Sequence, residues 1–334
     1  ASITGIELTL RNAGAIIRNN NIHNIENPIT SGWGAYGIMI SSALNNSNIH
    51  IYNNFIRDIC AFHTTSAITS FTNHGIYIND ATTNLRVNNN TIVLAKPNKG
   101  SGTSNSSSCF TITSNTATIA EFRNNILVNK QSDNSGQACN GIYLSSASIV
   151  SSAAMNNNNY FVTGASGNVG RITTINYPTL ANWRAVSNKD SNSFFTDPPF
   201  ISNTDLHLSQ VKSVLESNGL TIVGISTDID GEQRPGPVGS VNGGGLNFDI
   251  GADEADLISE NFKYDSSSVM QVTGIVPAGS DNNALLRVAI YVSGSVGTPL
   301  NITDLHFNTI GTTFAGDIWA AKVYYTGSSS TFNI

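Results

Sequence analysis

A pair of asparagines returns along the first half of the chain at an almost fixed interval. Asn19-Asn20, Asn53-Asn54, Asn89-Asn90, Asn124-Asn125 and Asn158-Asn159 stand 34, 36, 35 and 34 residues apart. Each pair sits in a similar frame: "IIRNNNIHNI", "HIYNNFIRDI", "RVNNNTIVLA", "EFRNNILVNK", "MNNNNYFVTG". A second repeat runs in step with it: "GIELT", "GIMIS", "GIYIN", "CFTIT" and "GIYLS", starting at Gly5, Gly37, Gly75, Cys109 and Gly141. Within each copy apolar and variable residues alternate, the period of a strand with one buried face. Two phased repeats of short strands at one period, with no helical pattern, predict a β-solenoid whose windings stack and whose inward side chains form ladders.

The asparagines then have a physical task. Asn tolerates the left-handed backbone region and turns the chain sharply between two strands. Stacked at one corner, its amide bonds the windings above and below and satisfies backbone groups inside the turn. The spacing predicts Asn20, Asn54, Asn90, Asn125 and Asn159 as one inward ladder.

Composition narrows the function classes. Charged residues make up 11% of 334, against about 25% in globular proteins. Polarity comes from Asn, Ser, Thr and Gly, and the 40% hydrophobic content argues against disorder. A net charge of −6 without a Lys/Arg cluster argues against nucleic-acid binding. No apolar run reaches the ~18 residues of a membrane span. The opening "ASITGIELTL" reads as mid-domain sequence, so the chain is expected to be a fragment or a processed form. Three cysteines, Cys60, Cys109 and Cys139, make neither a disulfide framework nor a metal spacing and are expected as buried thiols.

Inward aliphatic ladders, an Asn corner and windings of irregular length resemble the right-handed parallel β-helix of the pectate-lyase-like superfamily, over residues 1–165. Lyases and hydrolases of that fold use clustered carboxylates on an outward strand face. Here the outward columns are Glu7, Met39, Tyr77, Thr111, Tyr143, and Thr9, Ser41, Asn79, Thr113, Ser145, and Arg18, Tyr52, Asn88, Arg123. None brings two carboxylates together, and Asp80 has no acidic neighbour at Ser42, Ser114 or Ser146. No catalytic residue is assigned. The long connections follow the Asn-corner strand and carry Trp33, Tyr36, His63, Phe71, His74, Lys96 and Lys99. Trp33 and Tyr36, with Tyr77 and Tyr143, are the candidate glycan-binding aromatics.

Past Val162 the period stops. The segment "GISTDIDGEQRPGPVGSVNGGGLNFDIGADE" resembles the terminal region of secreted bacterial β-helix proteins called choice-of-anchor, with D-x-D-G-x-x-R-P followed by D-I-G-A-x-E. Residues 166–256 are therefore expected to cap the open solenoid end. Asp228 or Asp230 is expected to pair with Arg234 in that cap. A calcium site at Asp228, Asp230 and Asp249 is the alternative; the spacing is not that of an EF-hand.

Residues 257–334 alternate again in "SVMQVTGIV", "ALLRVAIYV", "LNITDLHFN" and "DIWAAKVYY", as in a β-sandwich. This run resembles the sandwich module N-terminal to bacterial sialidase propellers, repeated in very large surface proteins of gliding bacteria with type IX secretion. About half of that module is present. The chain is expected to continue past Ile334, or a partner to supply the missing strands.

Together these features imply an all-β, non-catalytic segment of a large secreted or cell-surface bacterial protein, an adhesin or stalk with glycan or another surface ligand as partner. The alternatives are a carbohydrate-active enzyme (lyase, hydrolase or epimerase) whose site lies outside this fragment, and a cargo of the type IX secretion machinery. No cofactor is implied beyond the calcium alternative.

Overall fold

A computed structural model describes residues 2–30, 33–42, 44–62, 73–97, 106–131, 138–164, 166–209, 213–236, 247–255, 262–277, 279–293, 300–310, 314, 316 and 318–327. The chain divides into two units, Ala1–Ile258 and Ser259–Ile334.

The first unit is a parallel β-solenoid, and its three sheets follow from the two repeats. The "GIxIx" copies form the first sheet: Ile3–Thr9, Ala35–Ser41, Asn73–Ile78, Ser107–Ile112, Cys139–Leu144 and Asn168–Ile172, all parallel. Residues just before the Asn corner form a second, 5-stranded sheet: Ile16–Arg18, His50–Tyr52, Leu85–Asn88, Ile119–Arg123 and Ala154–Asn156. Residues just after it form a third, also 5-stranded: Asn21–Ile22, Phe55–Arg57, Thr91–Leu94, Ile126–Asn129 and Asn159–Val162. Register makes the inward residues stack like on like. Ile6, Ile38, Ile76, Phe110 and Ile142 form one ladder, and Ile22, Ile56, Ile92, Leu127 and Tyr160 another. Most of these side chains are completely buried.

The glycine that opens most "GIxIx" copies is required by this packing. A Cβ on Gly75 would stand 2.4 Å from Ile92 Cγ2 and 2.5 Å from the Cys109 carbonyl oxygen. Gly5 and Gly37 meet Ile22 and Ile56 in the same way. The winding that carries Cys109 in place of glycine has Leu127 on the third sheet, which lacks the β-branch that crowds the other positions.

The Asn corner follows the expected chemistry. Asn19, Asn53, Asn89 and Asn124 adopt φ of 51–56°. The next asparagine in each winding turns its amide inward along the coil axis. Asn20 Nδ2 donates to Asn54 Oδ1, Asn54 Nδ2 to Asn90 Oδ1, and Asn90 Nδ2 to Asn125 Oδ1, at 2.8–3.1 Å. The fifth member is a correction: it is Asn158, whose Oδ1 accepts from Asn125 N and Nδ2. Asn159 lies one step on, exchanging hydrogen bonds with the Thr196 backbone. Four consecutive asparagines, 156–159, disguise the register, and Asn157 takes the left-handed turn with φ 56°.

Beyond the last winding the chain closes the coil end. Ile172 turns back into the antiparallel strand Ile175–Tyr177, and a helix, Leu180–Ser187, lies over the opening. Thr179 caps that helix by accepting from Asn182 N. Trp183 is fully buried against Gly170, where a Cβ would come within 2.2 Å of the indole. The Asn ladder ends on buried Asp190, whose carboxylate accepts from Asn158, Ser193, Tyr160 and Trp183.

Residues 198–209, 213–236 and 247–255 do more than cap the end. They run along the outside of the Asn corner as a strap. Asn157 donates to Asn218 O, Asn124 to Leu220 O, Asn53 to Thr227 O, and Asn19 to Asp228 O. Asn89 reaches Asp249 O and Gly251 O. The strap also buries outward apolar residues of the third sheet: Phe55, Val93, Ile126 and Val128 pack with Leu206, Leu208, Leu215, Ile250 and Ala252.

The second unit contains an antiparallel pair, Lys263–Gln271 with Leu286–Ser293. This is consistent with part of a sandwich. Among the described residues "LNITDLHFN" and "DIWAAKVYY" form no strand. Alternation marks a face that suits burial, but a strand also needs a partner backbone, and none is placed beside these two. Among the described residues no helix is long and apolar enough to cross a membrane, and Cys60, Cys109 and Cys139 are buried and form no disulfide.

Candidate functional site

The first sheet turns its alternate residues outward, and the register puts Glu7, Met39, Tyr77, Thr111, Tyr143 and Arg171 in one column. Adjacent strands lie about 4.8 Å apart, so Tyr77 and Tyr143, two rungs apart, stand about 9.6 Å apart along the coil. The neighbouring column supplies hydroxyls and an amide. Tyr77 OH donates to Asn79 Oδ1 at 3.0 Å, and Thr113 Oγ1 lies 3.4 Å from the Tyr77 hydroxyl. Arg171 lies over the Tyr143 ring, 5.9 Å from its centroid. The result is a strip of two half-buried phenol rings with the exposed Asn79 amide and the Arg171 cation, the Thr111 side chain between the rings being completely buried.

The four aromatics picked from the sequence are not brought together as one surface. Trp33 is 62% exposed. Tyr36 is buried, its ring 5.1 Å from His74 and 5.0 Å from Tyr77. One-rung spacing explains this, because His74 stands directly beside Tyr36 in the register. Burial, and then the neighbouring Tyr77, push the Tyr36 phenol up to about 12. Tyr36 therefore supports the Tyr77 ring from beneath rather than offering its own face. His74 stacks on Tyr77 at 4.5 Å and contacts Thr111 Oγ1 at 3.0 Å. His63, Phe71 and Lys99 lie outside the described residues. Lys96 pairs with Glu26.

The acidic motif of the strap is arranged differently from expectation. Arg234 pairs with Glu254 at 2.6 Å, both buried, and not with Asp228 or Asp230. Its guanidinium also donates to Asp249 O and Gly251 O. Asp228 instead closes its own turn, accepting from Asp230 N, Glu232 N and Glu254 N. Asp249 accepts from Ser217 N and Ala255 N. Burial and the neighbouring Glu254 push the Asp249 carboxyl well above the usual carboxylate range. Of the calcium alternative at Asp228, Asp230 and Asp249, backbone N–H groups bond both oxygens of Asp228 and of Asp249, and among the described residues Asp230 is grouped with His207 and Asp253 in their place.

Asp230 points elsewhere. Its Oδ2 lies 2.7 Å from Nε2 of His207, while Asp205 faces Nδ1 of the same ring. Asp253, 6% exposed, brings a carboxylate oxygen into the same group, and the donor atoms of His207, Asp230 and Asp253 all lie within 4.8 Å of one another. Burial pushes Asp253 up to about 6. For His207 burial opposes the charged ring, but the hydrogen bonds to Asp205 and Asp230 outweigh it and raise the pKa. Sequence reasoning passed over His207 and Asp253: they sit 46 residues apart in aperiodic chain, and only the fold of the strap joins them.

The chain matches no protein-family model, no curated protein and no solved structure.

Proposed function

We propose that this chain is a non-catalytic segment of a large secreted or cell-surface bacterial protein, an adhesin or stalk that contacts glycan along the outward face of the first sheet. The observation that carries the reading is the pair of outward phenol rings, Tyr77 and Tyr143, in one column with Asn79 and Thr113 beside them. Phenol rings stack on the apolar faces of sugars, and neutral hydroxyls and amides meet sugar hydroxyls without a charge cost. A solenoid holds these groups at fixed spacing, so little ordering entropy is lost on binding. No two carboxylates share the column, so the general acid and base of glycoside hydrolysis have no place there. The finer assignments belong to the same proposal: a pectate-lyase-like right-handed coil, a choice-of-anchor strap and a sialidase-associated sandwich module, in the manner of type IX-secreted surface proteins.

The test is a panel of polyuronates and neutral plant and host glycans, read for binding and for chemical change. Binding without turnover, weakened about tenfold by Tyr77→Ala or Tyr143→Ala, is expected, since a ring contact is worth about 1.5 kcal/mol. New unsaturated ends or reducing sugars would overturn the non-catalytic reading in favour of an enzyme. Absence of binding across the panel would overturn the glycan contact and leave the chain as exported cargo.

A further inference from the structure

We propose that His207, Asp230 and Asp253 form a divalent transition-metal site on the strap, with Asp205 orienting the imidazole.

The donor geometry points to it first. Ligands at 2.0–2.2 Å in a tetrahedral shell stand about 3.4 Å apart. The three donor atoms here lie within 4.8 Å of one another, so closing on an ion draws the outermost pair in by about 1.4 Å while His207 and Asp230, now 2.7 Å apart, open slightly. Asp230 is about half exposed and has room to make that shift.

The hydrogen bonding points the same way. Metal-bound histidine commonly donates its other N–H to a carboxylate, which fixes the tautomer and the ring plane. Asp205 takes that place at Nδ1. Nε2 shares a hydrogen bond with the Asp230 carboxylate at 2.7 Å, and a metal would enter there in place of the shared proton. Phe55 holds the other side of the ring, edge to face at 4.9 Å.

Asp253 is the independent observation. It is 94% buried, the complement of its 6% exposure. Its Oδ2 accepts from Leu208 N at 2.7 Å. The buried cation nearest in the strap, Arg234, is committed to Glu254. A buried carboxylate is costly to charge, and a metal held jointly with His207 would lower that cost.

One imidazole and two carboxylates suit Zn2+ or Mn2+ better than Ca2+, which prefers an all-oxygen shell. The site would tie the turn before Leu208 to the Asp228–Gly231 turn and to the segment after Ile250, three stretches of strap that have little regular structure of their own.

The test is calorimetric titration of the chelator-treated full chain with ZnCl2, and with CaCl2 in parallel. The expected result is one Zn2+ per chain, weakened at least tenfold in both His207→Gln and Asp253→Asn and unchanged in His50→Gln. X-ray absorption at the zinc edge should show one nitrogen among oxygen ligands at about 2.0–2.1 Å. Absence of stoichiometric Zn2+ binding to natively melting protein would overturn the proposal. So would Zn2+ binding that survives both substitutions, a shell without nitrogen, or a preference for Ca2+. His207→Gln keeps a neutral side chain of similar reach, so the test holds even if Asp253→Asn fails to fold.

Discussion

Replacing Asn90 by alanine removes one rung from the centre of the corner ladder. Asn90 is completely buried. Its Nδ2 donates to Ile51 O, Asn88 O and Asn125 Oδ1, and its Oδ1 accepts from Asn54 N and Asn54 Nδ2. Asn54 Nδ2 keeps its bonds to Ile17 O and Tyr52 O. The groups left short are the Asn54 N–H and the Ile51 and Asn88 carbonyls. A buried donor without an acceptor costs about 1–3 kcal/mol, and each weakened carbonyl about 0.5–1.5, so the loss should centre near 4 kcal/mol. Asn20 stands at the wetter end of the same ladder, and its Nδ2 bonds are to Arg18 O and Asn54 Oδ1. Water replaces much of what Asn20→Ala removes, and its cost should stay near 1 kcal/mol. Equilibrium guanidinium unfolding followed by far-UV circular dichroism measures both. Equal costs, or a loss below about 1 kcal/mol for Asn90→Ala, would refute the view that the amides hold the corner from within.

Other substitutions probe the strap and the coil end. Glu254→Gln breaks the buried pair with Arg234 and should destabilise the first unit by about 3–5 kcal/mol; a shift within 0.5 kcal/mol, about the size of a surface substitution, would show that the pair does not pin the strap. Gly170→Ala drives a methyl into the Trp183 ring, so the indole should move toward water; unchanged tryptophan emission and unchanged melting would argue against the helix as a lid. His50 is buried beside Asn88 and Tyr52, and burial, then Arg86, lower its pKa from 6.5 to about 4. Between those values the unfolded chain binds more protons, so stability is full above about 6.5 and falls as pH drops toward 4. His50→Gln should flatten that acid limb, and an unchanged pH profile would contradict the assignment.

The solenoid was legible because stacking makes every winding repeat its neighbours' constraints. Asparagine at the corner, glycine opposite β-branched Ile and alternating Ile in the first sheet each recur once per turn. The slip at Asn159 had its own remedy in the sequence. Phe122 stands two residues before Asn124, and Met155, its partner on the second sheet, stands two residues before Asn157. Aligning the apolar residues in place of the asparagines gives the observed register. The strap was not legible as a strap. Its bonds to the coil come from left-handed Asn side chains meeting backbone carbonyls up to 210 residues away, and main-chain carbonyls carry no residue signature. The Arg234 partner is hidden for a different reason, distance along the chain: Glu254 lies 20 residues on, and Asp228 and Asp230 are nearer only in sequence. On the candidate surface, alternation identified the outward column of Tyr77 and Tyr143, but it could not show Tyr36 covered by its neighbours on the next rung.

The most direct test of the stacked-coil account is methyl–methyl nuclear Overhauser spectroscopy on isoleucine-labelled protein. The register predicts cross-peaks between Ile38 and Ile76, Ile40 and Ile78, Ile17 and Ile51, and Ile56 and Ile92. Absence of these contacts, with isoleucines instead touching partners three or four residues away, would contradict it.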